Sequence, residues 1–324
     1  MEHFTDRIAV VTGGGTGMGR ELVRQLAAEG CHVAMCDIDA EAMAETAALC
    51  AEASPDRRIS AFVADVSDEQ QVVAFRDAVA RDQDTDHIHL LFNNAGVGGG
   101  GSMVVDDRAE WDRTFGICWG GVYHGTRAFL PMLLAADEGH VVNTSSVNGF
   151  WACLGPGIAH TAYSAAKFAV KGFTEALMVD FRINAPHLRA SVVMPGHVGT
   201  SIAINSGKVH GKDPKELTEE QVAEMRKRLA RSGMDVSGAS DEDIRRDLQV
   251  RNESFRDNAP LSAAGAASII LAGVRANEWR ILVGDDAVLL DQFVRTAPHD
   301  AYELDFMERL LSQGALTFTS PDAS

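Results

Sequence analysis

The chain has 324 residues, enough for one large α/β domain or two small ones, and its 46% hydrophobic and 23% charged content is that of a globular protein. A formal net charge of −17 argues against nucleic acid or an anionic membrane as a partner, because both need basic patches. The five cysteines form no C-x-x-C pair, and an odd number suits a reducing compartment better than a disulfide framework.

The run Ile8-Ala9-Val10-Val11 reads as a buried parallel strand. It leads into Thr12-Gly13-Gly14-Gly15-Thr16-Gly17-Met18-Gly19, after which Leu22, Val23, Leu26 and Ala27 recur at helical spacing and Gly30 stops the pattern. Strand, glycine-rich turn and helix together let backbone N–H groups and a helix N-terminus hold a pyrophosphate. The competing reading is a turn that only needs positive φ, and the strand before it and helix after it favour the phosphate.

A second strand over residues 32–36 ends at Asp37, 37 − 19 = 18 residues beyond Gly19, near the interval at which an acid reaches the adenosine ribose. That carboxylate would accept hydrogen bonds from a 2′-hydroxyl and repel a 2′-phosphate. Neither Thr16 nor Ile38 supplies a cation to hold such a phosphate, so NAD is expected over NADP. Asp39 reads as the cap of the next helix.

Residues 59–64 give a third strand ending at Asp65-Val66, where a polar side chain would meet the adenine amino group. Ser67-Asp68-Glu69-Gln70 then reads as a capping box. A fourth strand over residues 88–92 runs into Asn93-Asn94-Ala95-Gly96, whose small residues admit a ligand to the backbone. A fifth over residues 141–145 ends at Ser145 and Ser146.

Tyr163 and Lys167 are four apart on a helical stretch and share one face. An ammonium beside a phenol would lower its pKa from about 10 towards the working range. Y-x-x-x-K arises by chance in many helices, and it is the upstream strand ends that give this one weight.

Residues 188–194 form a sixth strand and residues 280–283 a last one, after a small-residue helix over 261–274. Between them, residues 207–257 are crowded with charge of both signs yet keep helical stripes: Val222, Met225 and Leu229 behind a Thr218 cap, and Ile244 and Leu248 behind Ser240. Beyond Asp291, Phe306, Leu310 and Leu311 suggest a short docking helix, and the last ten residues look disordered.

The first residues lack a secretion signal and no apolar run approaches the roughly 18 residues a bilayer needs, so a cytoplasmic protein is expected. The histidines lack metal-ligand spacing, and no metal is expected.

In order and spacing, T-G-x-x-x-G-x-G, the acid after the second strand, D-V, N-N-A-G, Ser146, Y-x-x-x-K and Pro195-Gly196 resemble the short-chain dehydrogenase/reductase family over about residues 7–200 and again over 260–285. The resemblance implies a Rossmann-like doubly wound α/β fold with about seven parallel strands. It implies catalytic Ser146, Tyr163 and Lys167, with Tyr163 as general acid/base, Ser146 positioning the reacting oxygen and Lys167 on the nicotinamide ribose. Thr12, Gly13, Gly17, Met18 and Gly19 would line the phosphate turn, and Asp37, Ile38, Asp65 and Val66 the adenosine. Asn93, Ala95 and Gly96 would lie beside the riboses, and Pro195, Gly196, Val198 and Thr200 at the nicotinamide carboxamide. A homodimer or homotetramer through the helices around Thr126 and Ala169 is implied as well.

One position departs from the family: Cys118 stands where an asparagine usually carries a proton relay from the lysine, and a thiol cannot replace an amide there. Cys118 reads better as a small buried apolar residue.

The interval from Ser146 to Tyr163, 163 − 146 = 17 residues, exceeds the family's usual length. Phe150, Trp151 and Leu154 in that apolar stretch are expected to wall a hydrophobic substrate pocket, the alternative being packing at a core edge or subunit interface. Residues 201–259 are expected to form an enlarged substrate lid and residues 296–324 a C-terminal extension of one domain. The expected activity is NAD-dependent interconversion of a secondary alcohol and a ketone, on a bulky hydrophobic small molecule. A non-catalytic NAD sensor and an epimerase or dehydratase on the same fold are its rivals.

Overall fold

The computed structural model describes residues 1–154, 158–231 and 233–313, except for the side chains of Leu304 and Leu311. The disorder expected for the last ten residues, and part of the apolar loop at 155–157, fall outside them.

Among the described residues nine strands alternate with helices: β1 (Ile8–Thr12), β2 (His32–Asp37), β3 (Ile59–Val63), β4 (Leu90–Asn93), β5 (Gly139–Thr144), β6 (Leu188–Pro195), β7 (Val198–Gly199), β8 (Leu261–Ser262) and β9 (Arg280–Val283). Seven of them form one parallel sheet in the order β3-β2-β1-β4-β5-β6-β9, and β7 pairs with β8 apart from it. The order reverses between β1 and β4, which opens a crevice at their carboxyl ends.

Side chains alternate across the sheet. Ala9, Val11, Val33 and Met35 face α1 (Gly17–Ala28), α2 (Ala40–Ala53) and α10 (Ala263–Arg275) through Leu22, Leu26, Met43 and Ile270. Val10, Ala34, Cys36 and Leu91 face α3 (Glu69–Asp82), α5 (Gly121–Leu134) and α6 (Thr161–Asn184) through Phe75, Phe129 and Phe181. Burial on both faces is why these strands read as unbroken apolar runs. The fold is the Rossmann-like doubly wound sheet expected from sequence.

Asp39 caps α2, accepting from the Ala42 N–H at 3.0 Å. The α3 cap is shifted by one residue from the expected box. Asp68 accepts from the Gln70 and Gln71 N–H groups, because the Ser67 hydroxyl is already bound to Asp65.

After β7 come α7 (Ile202–Val209), α8 (Glu219–Arg231) and α9 (Asp241–Asp257). Thr218 and Gln221 cap each other reciprocally before α8, and Ser240 and Asp243 do the same before α9. This segment has its own small core of Leu217, Val222, Leu229 and Ile244. Finally α11 (Asp285–Thr296) leads to α12 (Leu304–Ser312), which docks Phe306, Met307 and Leu310 onto Trp151, Ala287 and Leu290.

Candidate active site

The crevice has two connected parts. Its first part begins at the β1–α1 turn. Gly13, at φ +69°, lies so close to β4's end that a Cβ there would sit 2.8 Å from Ala95 Cα, and a Cβ on Gly19 would fall onto the Gly13 carbonyl oxygen. The N-terminus of α1 has no side-chain cap and no acid in its first turn. A cradle this narrow, ending in free N–H donors, fits a pyrophosphate.

Gly13, Gly17, Met18, Gly19, Asp37, Ile38, Asp65, Val66, Ala95, Gly96 and Thr200 all line this part. The Gly15 and Asp39 N–H groups donate to Asp37 at 3.0 and 3.2 Å, which fixes the carboxylate at the crevice edge. Asp65 is held by Ser67 and by Arg113 at 2.7 Å. Burial alone would raise its pKa, but these contacts outweigh it and keep the carboxyl below its usual range.

Two residues expected at the cofactor lie behind it. The Thr12 hydroxyl accepts from the Asn94 and Ala95 N–H groups, shaping the β4 turn from beneath. Asn93 is buried, its amide donating to Asn143 on β5 and Thr126 on α5, and Asn94 is the asparagine that lines the crevice. The correction is geometric: Asn93 is the last residue of β4 and points into the α5 face, while its successor turns outward.

The second part is a cleft of about 500 Å³ at the ends of β5 and β6. Ser146 enters it in an extended conformation just before the helical turn Val147–Gly149. Tyr163 and Lys167 enter from the first turns of α6, and Pro195, Gly196, Val198 and Thr200 from the loop after β6. Lys167 is buried and donates to the Thr144 carbonyl at 2.8 Å, its Nζ 5.3 Å from the centre of the Tyr163 ring. Burial pushes this ammonium's pKa down.

Burial also pushes the Tyr163 phenol above its ordinary value, and the hydrogen bond from Ser146 pulls the other way. The expectation that the lysine depresses the phenol is therefore not met by the protein alone. The ammonium lies over the ring face and spends a proton on a carbonyl, so desolvation wins.

Cys118 sits in a π-helical turn, Gly116–Gly120, between α4 (Arg108–Phe115) and α5. It is fully buried and its thiol donates to the Val97 carbonyl at 3.2 Å, as a small apolar residue with a weak donor would.

Of the three side chains expected to wall a substrate pocket, Leu154 lines the cleft. Trp151 does not: it is fully buried against Phe306, and its indole donates to the Ala301 carbonyl at 2.6 Å. Phe150 packs on the same cluster, under the Arg280 guanidinium. The core-edge alternative describes both, because α12 supplies the apolar surface they need.

Several lining residues escaped the sequence reading. From α7 come Asn205 and Lys208 beside the phosphate turn, with Asn205 donating to the Thr16 hydroxyl at 3.2 Å. His160 stacks edge-on against Tyr163, and Arg228 and Asn252 reach in from α8 and α9. Asp286, at the start of α11, accepts from the His197 N–H at 2.6 Å and so pins the loop after β6. Only His160, three residues before Tyr163, lay close enough to a motif to be noticed. The others depend on segments far away in sequence.

A dinucleotide crevice ending at a buried serine, a half-buried tyrosine and a buried lysine defines a nicotinamide-dependent oxidoreductase. The chain belongs to the short-chain dehydrogenase family, whose model matches residues 7–210. It is 35% identical over 223 residues to the putative oxidoreductase SadH of Mycobacterium tuberculosis, covering 68% of this chain and 76% of that one. It is 34% identical over 221 residues to levodione reductase of Leifsonia aquatica, covering 67% and 79%. A short-chain dehydrogenase/reductase from Burkholderia phymatum, solved with NAD, superposes with a TM-score of 0.73 at 28% identity, covering 92% of this chain and 96% of that one.

Proposed function

We propose that the protein interconverts a secondary alcohol and a ketone with NAD. The observation that carries this is the convergence of Ser146, Tyr163 and Lys167 on the end of a crevice shaped for a dinucleotide. NAD, when bound, supplies the hydride acceptor and its reduced form the donor. The chain's own residues position and exchange a proton. Ser146 orients the substrate oxygen, Tyr163 gives or takes its proton, and Lys167 sits where it would meet the nicotinamide ribose. The levodione reductase relative is consistent with carbonyl chemistry. The intact triad favours this reading over a non-catalytic sensor. A screen of NAD⁺ reduction over secondary alcohols of graded size tests it, and failure of every alcohol and every reverse ketone would overturn it.

The preference for NAD rests on Asp37. With its carboxylate fixed by two N–H groups, a 2′-phosphate would meet a like charge at short range. Asp37→Asn is expected to raise the NADP-to-NAD ratio of kcat/KM by about tenfold or more, read from initial rates with each cofactor. An unchanged ratio would place selectivity elsewhere.

A raised phenol pKa means that Tyr163 is protonated at neutral pH. Alcohol oxidation needs the phenolate and ketone reduction the phenol. Oxidation is therefore expected to keep climbing with pH across the neutral and alkaline range, without levelling off below the phenol's ordinary value of about 10, while reduction holds level over the same range. Profiles of kcat/KM in both directions check the sign.

Helices α7–α9 would act as a lid over the cleft, to which they contribute Ser206, Arg228, Asn252 and Phe255. Exposed Tyr123, Phe168, Val179 and Ile183 on α5 and α6 fit the homodimer or homotetramer that the family resemblance implies, which light scattering would show.

A further inference from the structure

The cleft beyond Tyr163 is not uniformly apolar. Leu154, Ile158 and Phe255 line part of it, but Arg228 enters from α8 on another side. Among the described residues its guanidinium makes no hydrogen bond, and its one ion pair is a long one, 3.9 Å to Asp106. The Asp106 oxygen involved is already committed to the Ser102 N–H at 2.6 Å. The Arg228 side chain is 45% exposed, so water serves most of its donors, and among the described residues no protein acceptor holds the guanidinium firmly: a ligand anion would displace water there, not a protein partner.

Two neutral donors lie with it. The Asn252 side-chain amide lines the same cleft and makes no hydrogen bond among the described residues. His160 lines it too: its ring centre is 4.7 Å from that of Tyr163, and among the described residues its buried Nε2 has no partner. Burial and the nearby Arg228 push the His160 imidazole down to about 4, so the ring is neutral at neutral pH. A buried polar atom left unpaired is destabilising, and a ligand oxygen would supply the missing partner.

From this we infer that the substrate carries a carboxylate, seated on Arg228 with Asn252 and His160 Nε2 as supporting donors, while its apolar body lies along Leu154 and Phe255. The substrate is then a hydroxy acid in one direction and an oxo acid in the other, an inference that rests on the proposed alcohol–ketone activity. The seat suits one negative charge better than the two of a phosphate monoester. Of the other lysines lining this cleft among the described residues, Lys212 is already neutralised by Glu110, and Lys167 lies beside Tyr163, donating to the Thr144 carbonyl. In a chain of net charge −17 an acid gains little from long-range attraction, so the local cation must supply the selectivity.

The test uses the full chain and a matched pair, 4-oxocyclohexanecarboxylate and its methyl ester, reduced with NADH. The acid is expected to be preferred, and Arg228→Gln to lower the acid-to-ester ratio of kcat/KM by about tenfold or more. Lys227→Gln, which removes an exposed charge one position away on the same helix, is expected to leave the ratio unchanged. Preference for the ester, no change in Arg228→Gln, or an equal fall in Lys227→Gln overturns the carboxylate seat. A second arm titrates the acid into NADH-loaded protein by calorimetry. Binding that Arg228→Gln weakens supports the seat even if neither ketone is reduced, and the oxidoreductase reading then stands or falls separately on the screen of alcohols and ketones. Absent binding, or equal binding by the variant, overturns the seat.

Discussion

Tyr163→Phe is expected to lower kcat by about 10²- to 10⁴-fold, the span that general acid–base catalysis contributes, while the affinity for NADH stays within about threefold. The change deletes one oxygen and keeps the ring, which packs on the core face of α6 and edge-on against His160. Tyr163 is not among the residues lining the first part of the crevice, so dinucleotide binding reports separately whether the fold survives. Ser146 cannot replace the phenol, since a serine hydroxyl is far too weak an acid and its oxygen already accepts from the Asn148 N–H at 3.1 Å. In free energy the loss corresponds to about 3–5 kcal/mol of transition-state stabilisation. Rates measured with saturating alcohol, beside NADH fluorescence titrations, give both numbers. A variant with full activity would remove Tyr163 from the chemistry, and a wild type without activity on any alcohol or ketone would favour the sensor.

How far the site was legible follows from the way each part is built. The phosphate turn, Asp37 and the tyrosine–lysine pair are encoded in short local strings, because each needs a particular backbone shape or helical spacing at one strand end. The inner strands of the sheet were equally readable, since burial on both faces leaves unbroken apolar runs such as Ile8–Thr12, while the edge strand β3 is half-buried and interrupted by Ser60. What local strings do not show is which way a side chain turns at the end of a strand. Asn93 and Asn94 are adjacent and chemically identical, yet one ties β4 to Asn143 and the other lines the crevice. The phenol's environment is not legible either, because helical spacing puts Lys167 beside Tyr163 without saying that its ammonium would donate a hydrogen bond to the Thr144 carbonyl. Arg228 and Asn252 were invisible for a further reason. They reach the cleft from α8 and α9, and although a lid is expected over residues 201–259, no local string says which of its many polar side chains turn inward.

Trp151→Ala separates the two roles that an apolar loop beside an active site can have. If Trp151 walled the substrate pocket, its loss would raise KM for large substrates and leave the fold intact. The structure gives the opposite expectation: a fall in stability of about 3–5 kcal/mol, the usual result of emptying a large aromatic site in a core. The indole fills the space between the Val147–Gly149 turn and α12, with its ring centre 6.2 Å from that of Phe306. Its N–H is the partner of the Ala301 carbonyl, so truncation also leaves a buried acceptor unpaired. The same indole packing holds α12 in place, and the hydrogen bond between the Tyr302 hydroxyl and the Ala152 N–H would only partly retain it. Thermal unfolding should therefore begin roughly 5–10 °C lower, and limited proteolysis should cut first between α11 and α12. Because Trp151 lies only five residues from Ser146, and the Asn148 amide donates to its carbonyl, a modest fall in kcat should accompany the loss of stability. Leu154→Ala supplies the contrast: this side chain lines the cleft, so KM should rise with little change in melting temperature. Were Trp151→Ala instead to melt like the wild type and bind substrate poorly, the docking of α12 would not be what that tryptophan is for.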